Sequence, residues 1–296
     1  MDGSSPPQAV AALPLFDIVK TGDSPPEPFN EAGERPLSGI RVLDLTHVIA
    51  EPVGGRTLAE HGADVLRLKS PHRPRQLRLE IDSGHGKRSA QLDLRQDQDA
   101  AQLRALVQQA DVFSQGYRPG ALAARGFSPE ALAELRPGIV YVSLSAYSHA
   151  GPWRQKRGFD SLVQAVSGIV HAETAGAATP RHLPAQALDY CSGYLMAFGA
   201  MMALARRARE DGSYLVRISL CQTGHWIYTL GHLQHGVDGR TRPMPQYADV
   251  QDLMIDDVGP FGTVHHVAPA GQLSETLARW TSPTAPFGTH EPVWAA

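Results

Sequence analysis

The chain has 296 residues, 27 basic against 30 acidic side chains and a formal net charge of −3; 42% of it is hydrophobic and 19% charged. That composition is globular rather than disordered, and the length is a prior for about two domains. The near-neutral charge argues against a dedicated nucleic-acid binder, which needs a surplus of Lys and Arg on one face. Two cysteines without ligand spacing, Cys191 and Cys221, indicate neither a disulfide framework nor a zinc ribbon and fit a reducing, cytoplasmic compartment. The longest apolar run, Tyr194 to Leu204, is far short of a bilayer span, and residues 1–7 lack the pattern of a signal peptide.

Residues 1–36 are rich in Pro, Gly, Ser and acid, with one apolar island at Leu13 to Val19, and read as a flexible arm or linker. From Leu37 the pattern alternates. Ile40 to Leu45 and Ala63 to Leu68 read as strands around a short helix, Gly54 to His61, that Gly62 stops. Ala90 to Leu94 alternates in strand fashion. Leu103, Leu106, Val107 and Ala110 then fall on one helical face, and Asp111-Val112-Phe113 starts another strand. Ser128-Pro129 reads as an N-cap and first turn, with Arg136-Pro137 as the stop; Ile139 to Leu144 is the clearest strand. A long helix is expected over Tyr190 to Arg209, a turn at Gly212 and a strand over Tyr214 to Leu220. Strands joined by helical crossovers predict an α/β fold: a Rossmann-like, doubly wound, mostly parallel sheet over residues 37–230. Residues 231–296 show no sustained periodicity and read as a shortened second domain or a wrapping C-terminal segment.

Several segments invite chemistry. The loop "LTHVIAEPVGG" (Leu45 to Gly55) follows the first strand of this region, where open α/β sheets bind ligands, although it lacks the dinucleotide fingerprint and is also an ordinary strand-to-helix turn. The loop "GHGKRS" (Gly84 to Ser89) is no phosphate loop, because Ile81 stands where its first glycine is required; Lys87 and Arg88 suit a phosphate-bearing ligand or simply a solvated surface. In "QGYRPG" (Gln115 to Gly120), Tyr117 offers a stacking face and Arg118 a phosphate partner, in what is otherwise a good turn. Asp189 precedes the long helix, where an N-cap is the simpler role and an activated carboxylate nucleophile the alternative. His265-His266 reads as a surface pair rather than a metal site, and no metal centre or Ser-His triad is indicated.

Taken in order, "LSGIRVLDLTHVIAEPVGGRTLAEHGADVLRLKSP", "GHGKRSAQLDL", the stretch from Ala110 to Trp153, "RGFDSLVQAVSG" and "LDYCSGYLMAFGAMMALARR" resemble the family III CoA-transferases, also called the CaiB/BaiF family, which includes formyl-CoA and carnitine CoA-transferases. The resemblance covers about Leu37 to Gln222. It implies a Rossmann-like CoA-binding domain, a smaller second domain and a homodimer of interlocked chains. It also implies transfer of CoA between an acyl-CoA and a carboxylic acid, with CoA as substrate and no further cofactor. On the matching positions it places the nucleophile at Asp189 and the CoA site at Val48, Ile49, Ala50, Lys87, Tyr117, Arg118 and Arg157.

The chain departs from the family motifs where Glu51 replaces the glycine of Ala-Gly-Pro and Gly116 the asparagine of Asn-Phe-Arg-Pro-Gly. These departures, with the short C-terminal region, motivate an alternative reading as a catalytically weak CoA-binding or partner subunit. The racemases of the family carry a histidine in the second position of the G-x-D motif. Phe159 stands there and has no proton to exchange, which disfavours that third reading.

Overall fold

The computed structural model describes residues 10–29, 33–174, 176–231 and 245–295. Seven strands form one sheet: β1 (Phe16–Gly22), β2 (Arg41–Leu45), β3 (Asp64–Lys69), β4 (Lys87–Gln91), β5 (Val112–Gln115), β6 (Val140–Ser145) and β7 (Ser213–Ser219). Their spatial order is β1-β7-β6-β5-β2-β3-β4, and every pair is parallel except β1 with β7. The chain runs outward from β2 through β3 to β4, then returns to the other side of β2 to lay down β5 and β6. The sheet therefore has its topological switch point between β2 and β5, where doubly wound folds place their ligands.

Alternation along the strands divides the core. Val42, Val65, Val112, Val140, Val142 and Val216 face one way, toward α1 (Ala50–Glu60) and the long helix α7 (Ala187–Arg209). Leu43, Leu66, Phe113, Tyr141 and Leu215 face the other way, toward α3 (Asp97–Val107) and α4 (Pro129–Leu135). Between these elements lie α2 (Leu77–Ser83), α5 (Asp160–Val166) and α6 (Ile169–Thr174); α8 (Leu220–Thr229) follows β7 directly. Ser128 caps α4, its hydroxyl accepting the Ala131 amide at 3.2 Å. By length and hydropathy α7 would pass for a membrane span, but just over half of that stretch is buried within the domain.

The crossing of α1 and α7 is unusually close. A Cβ on Gly193 would lie 2.4 Å from the Ala50 carbonyl and 2.8 Å from Val53 Cβ; one on Gly54 would lie 3.0 Å from the Gly193 carbonyl. Glycine here lets two backbones approach as no other residue would. The first turns of both helices consequently share one end of the sheet.

One expectation is corrected. Residues 16–22, inside the expected flexible arm, form β1, an antiparallel edge strand on β7. Further along the same arm, Glu27 pairs with Arg136 at 2.6 Å. Main-chain pairing, which composition does not reveal, overrides the Pro-rich surroundings. Residues 245–295 contain a short helix, α9 (Tyr247–Val250), and an antiparallel hairpin, β8 (Met254–Gly259) with β9 (Gly262–Val267). Three of their aromatic groups pack on this chain's own domain. Trp280 Nε1 donates to the Arg56 carbonyl and Trp294 Nε1 to the Leu106 carbonyl, both at 3.1 Å. Phe287 lies under Arg67 and Lys69, 4.0 and 4.2 Å from their cationic centres. The segment also closes the β4 edge: the Ser282 carbonyl accepts the Gly86 amide, and His290 exchanges bonds with the Ser89 backbone.

Gly193→Ala is therefore expected to destabilise the fold by about 1–3 kcal/mol through overpacking, despite alanine's better helix propensity. Gly271→Ala, where a Cβ meets nothing within 4 Å, should stay within about 0.5 kcal/mol. Urea denaturation of both variants measures the difference.

Candidate active site

A cavity of 340 Å³ opens at the carboxyl ends of β2, β5 and β6, across the switch point. The loop after β2 contributes His47, Val48, Ile49, Ala50 and Glu51; the loop after β5 contributes Gly116 to Pro119; Lys156, Arg157 and Asp189 complete the wall with others. Val48 has φ = +72°, a left-handed conformation that a β-branched residue adopts only under strain, and strain of this kind collects at functional sites. The adjoining His47 ring stacks on Tyr117 with centroids 5.4 Å apart, and its Nδ1 is buried without a hydrogen-bond partner. Burial first, and the Arg73 cation second, hold the imidazole down at about 4, so it stays neutral at pH 7.

Asp189 is not the cap of α7. The N-cap is Gln186, and Asp189 sits in the first turn, 7% exposed. Its amide donates to Asp160 Oδ2 at 2.9 Å, so the start of α5 fixes the start of α7. Asp160 is itself buried, and Gln164 Nε2 donates to its other oxygen. Desolvation, then the neighbouring Asp160 charge, push the Asp189 carboxyl up to about 7.

Glu51, in the first turn of α1, is a second buried carboxyl on the same cavity. Desolvation raises it to about 8, helped by the Asp189 and Asp44 charges. A Cβ on Gly116 would fall 1.2 Å from Glu51 Oε1, so this carboxyl occupies the space a side chain at 116 would need.

The structure thus brings Val48, Ile49, Ala50, Tyr117, Arg118, Arg157 and Asp189 to one cavity. Lys87 is a correction. Its ammonium is fully buried under α1, 2.7 Å from both Asp44 Oδ2 and the Pro52 carbonyl, and it does not line the cavity. Burial pulls it down to about 8 even so. The strand pleat turns this side chain inward, which a loop-like sequence does not disclose. Conversely, reading the sequence passed over Arg73, Lys156 and Asp160. The Arg73 guanidinium lies 5.2 Å over the Tyr117 ring. Arg73, Tyr117 and Ala121 also border a neighbouring 320 Å³ chamber that Lys69, His72, Arg95 and Arg125 help to line. A basic residue in a loop after a parallel strand was the signal available for Arg73.

The model of CoA-transferase family III matches residues 37–264. Among curated proteins, the chain is 34% identical over 200 residues to acetyl-coenzyme A transferase nodX of Hypoxylon pulicicidum, covering 66% of this chain and 34% of that protein. It is 30% identical over 214 residues to acetyl-CoA:oxalate CoA-transferase of Acetobacter aceti, covering 68% and 54% respectively. The chain thus spans less than two thirds of either relative. A crystal structure of Rv3272 from Mycobacterium tuberculosis superposes with a TM-score of 0.75 at 22% identity, over 88% of this chain and 99% of that one, a likeness of fold.

The two raised carboxyls have a consequence for stability. Between an unfolded value near 4 and folded values of about 7 and about 8, the folded chain keeps protons that the unfolded chain has lost. Each group's contribution is therefore largest in acid and is lost as pH rises through that window. Asp189→Asn combined with Glu51→Gln should flatten the loss, with a difference from the parent on the order of 1 kcal/mol per pH unit for each group within its window. Unfolding midpoints from pH 5 to 9 measure it.

Proposed function

The chain belongs to CoA-transferase family III, and on that footing we propose that it moves CoA between an acyl-CoA thioester and a carboxylic acid, with Asp189 as nucleophile. The observation that carries this reading is a buried carboxyl, raised toward neutrality, in the wall of a cavity lined by Arg73, Arg118, Lys156 and Arg157. The cations suit the phosphates of CoA, and Arg157 and Arg118 were expected there from the sequence. The adjoining basic chamber suits the nucleotide end, with Arg73 and Tyr117 at the passage between the two.

The reaction then runs in four balanced steps. An oxygen of ionised Asp189 attacks the thioester carbonyl and CoA leaves as thiolate, giving an acyl-aspartyl anhydride. The thiolate attacks the aspartyl carbonyl of that anhydride, the donor acid departs as carboxylate, and aspartyl-CoA thioester remains. An acceptor carboxylate attacks this thioester and expels the thiolate again, leaving a new anhydride. The thiolate closes the cycle by attacking the acceptor's carbonyl, releasing product and free Asp189. Burial favours this chemistry twice: it leaves the carboxylate poorly solvated and therefore nucleophilic, and it keeps water from the anhydride. The nucleophile works ionised, so transfer should weaken below about pH 7, where Asp189 becomes protonated.

Homodimer formation belongs to the same proposal. Its support is the exposed apolar stripe Tyr194, Phe198 and Met202 on α7, rather than the C-terminal Trp280, Phe287 and Trp294, which pack half-buried on this chain. Racemisation draws no support, since the exposed side chain at Phe159 carries no exchangeable proton.

Asp189→Ala should lose transfer by at least about 10³-fold, as for removal of a covalent nucleophile. In the parent, hydroxylamine should intercept an acyl or CoA adduct on Asp189, seen as the hydroxamate by mass spectrometry. Near-normal turnover in the Ala variant would exclude the assignment. Arg157→Glu should weaken CoA binding about tenfold or more at low salt, with a smaller loss at high salt; calorimetry at two ionic strengths reads this directly.

A further inference from the structure

We propose that Glu51 is a specificity-determining acid of this site: in its protonated form it donates a hydrogen bond to the carbonyl oxygen of an acyl-CoA seated against Asp189, and so distinguishes acyl-CoA from free CoA. The inference rests on the reading of the cavity as an acyl-CoA site.

Three observations converge on it. Glu51 is a nearly solvent-free carboxyl, yet it lines the cavity instead of pairing with a cation. Its place is built for it: a Cβ on Gly116 would overlap Oε1 at 1.2 Å and the carboxyl carbon at 2.0 Å, so the absence of a side chain at 116 is what admits the carboxyl. Positions 51 and 116 are also among those at which the sequence departs from the motifs it resembles. In this chain the polar side chain stands on the helix after β2, and glycine stands in the loop after β5. The hydrogen-bonding group that this pairing presents to the cavity is an acid.

The charges facing Glu51 make the neutral acid the working form. Asp189 approaches from α7 and Asp44 from the end of β2, and Tyr117 brings a phenol from the loop after β5. Asp44 pairs with the Lys87 ammonium at 2.7 Å. Arg73, Arg118, Lys156 and Arg157 line the same cavity, and Asp160 stands behind Asp189. Two adjacent carboxylates favour retention of a proton between them, and desolvation, helped by the Asp189 and Asp44 charges, raises Glu51 to about 8. A neutral carboxyl kept so by its surroundings donates a hydrogen bond at pH 7, as oxyanion-type stabilisation requires. Once ionised, it would instead repel a carbonyl oxygen.

The test compares acetyl-CoA with free CoA by calorimetry between pH 6.5 and 9.5. In the parent chain, the preference for acetyl-CoA should fall about tenfold as the pH passes 8. In Glu51→Gln, whose amide donates at every pH, the preference should be flat. Gly116→Ala should evict the carboxyl and abolish the pH dependence, and in a Glu51→Ala background Gly116→Ala should cost no further stability. A preference independent of pH in the parent, or one that drifts equally in Glu51→Gln, overturns the inference while CoA binding and the Asp189 adduct stand. Absence of any CoA binding overturns the reading of the cavity, and this inference with it.

Discussion

The close crossing of α1 and α7 governs the rest of the molecule. Gly54 and Gly193 remove the side chains that would hold two helices at the usual 8–10 Å separation, and the backbones approach instead. The first turns of the two helices then share one end of the sheet, so the carboxyls of Glu51 and Asp189 open onto a single cavity. Neither acid would be drawn there by its own chemistry. Backbone packing about one turn along each helix places them near each other, at an electrostatic cost that adds to the desolvation raising both carboxyls.

The buried acids of this region are neutralised by two different physical means. Asp44 has a fixed partner: Lys87 reaches it at 2.7 Å, and the same ammonium also ties down the Pro52 carbonyl in the first turn of α1. Gly55 keeps that pair accessible to the helix, since a Cβ there would lie 2.5 Å from Asp44 Oδ2. Among the described residues Asp189 and Glu51 have no such cation, and desolvation raises both carboxyls instead. Under the proposed mechanism the distinction separates support from function, because a paired charge is fixed while a proton can be given up. Asp160 acts between the two as a positioning residue, accepting the Asp189 amide and adding the charge that raises its carboxyl.

Much of this was legible in the sequence where side chains report their surroundings. Runs such as Val140 to Leu144 announce buried parallel strands, and their order with the intervening helices fixes the doubly wound class. Ser128-Pro129 marks its helix to the residue. The failures have a common cause, which is that backbone pairing and side-chain direction leave no local trace. β1 carries Asp17 and Lys20 and gains its place from pairing with β7. β8 and β9 are largely exposed on both faces, so no apolar alternation develops. Lys87 looks like a loop cation and is a buried strand residue; Arg73 looks incidental and borders two cavities. Glu51 was visible as a departure, but its complement with Gly116 exists only in three dimensions.

The extended C-terminal segment has a consequence of a different kind. A seven-stranded open sheet has two terminal strands, each a template for recruiting another chain. At β4 the backbone groups of Gly86 and Ser89 are taken up by Ser282 and His290, while Trp280 packs against α1 on one face of the sheet and Trp294 against α3 on the other, with Phe287 under Arg67 and Lys69 between them. These last residues act as a selvedge, the finished border that stops a woven fabric from joining to the next piece. Loss of them would leave the cavity at the opposite side of β2 intact in outline, yet give the sheet an open margin along which like molecules would zip together.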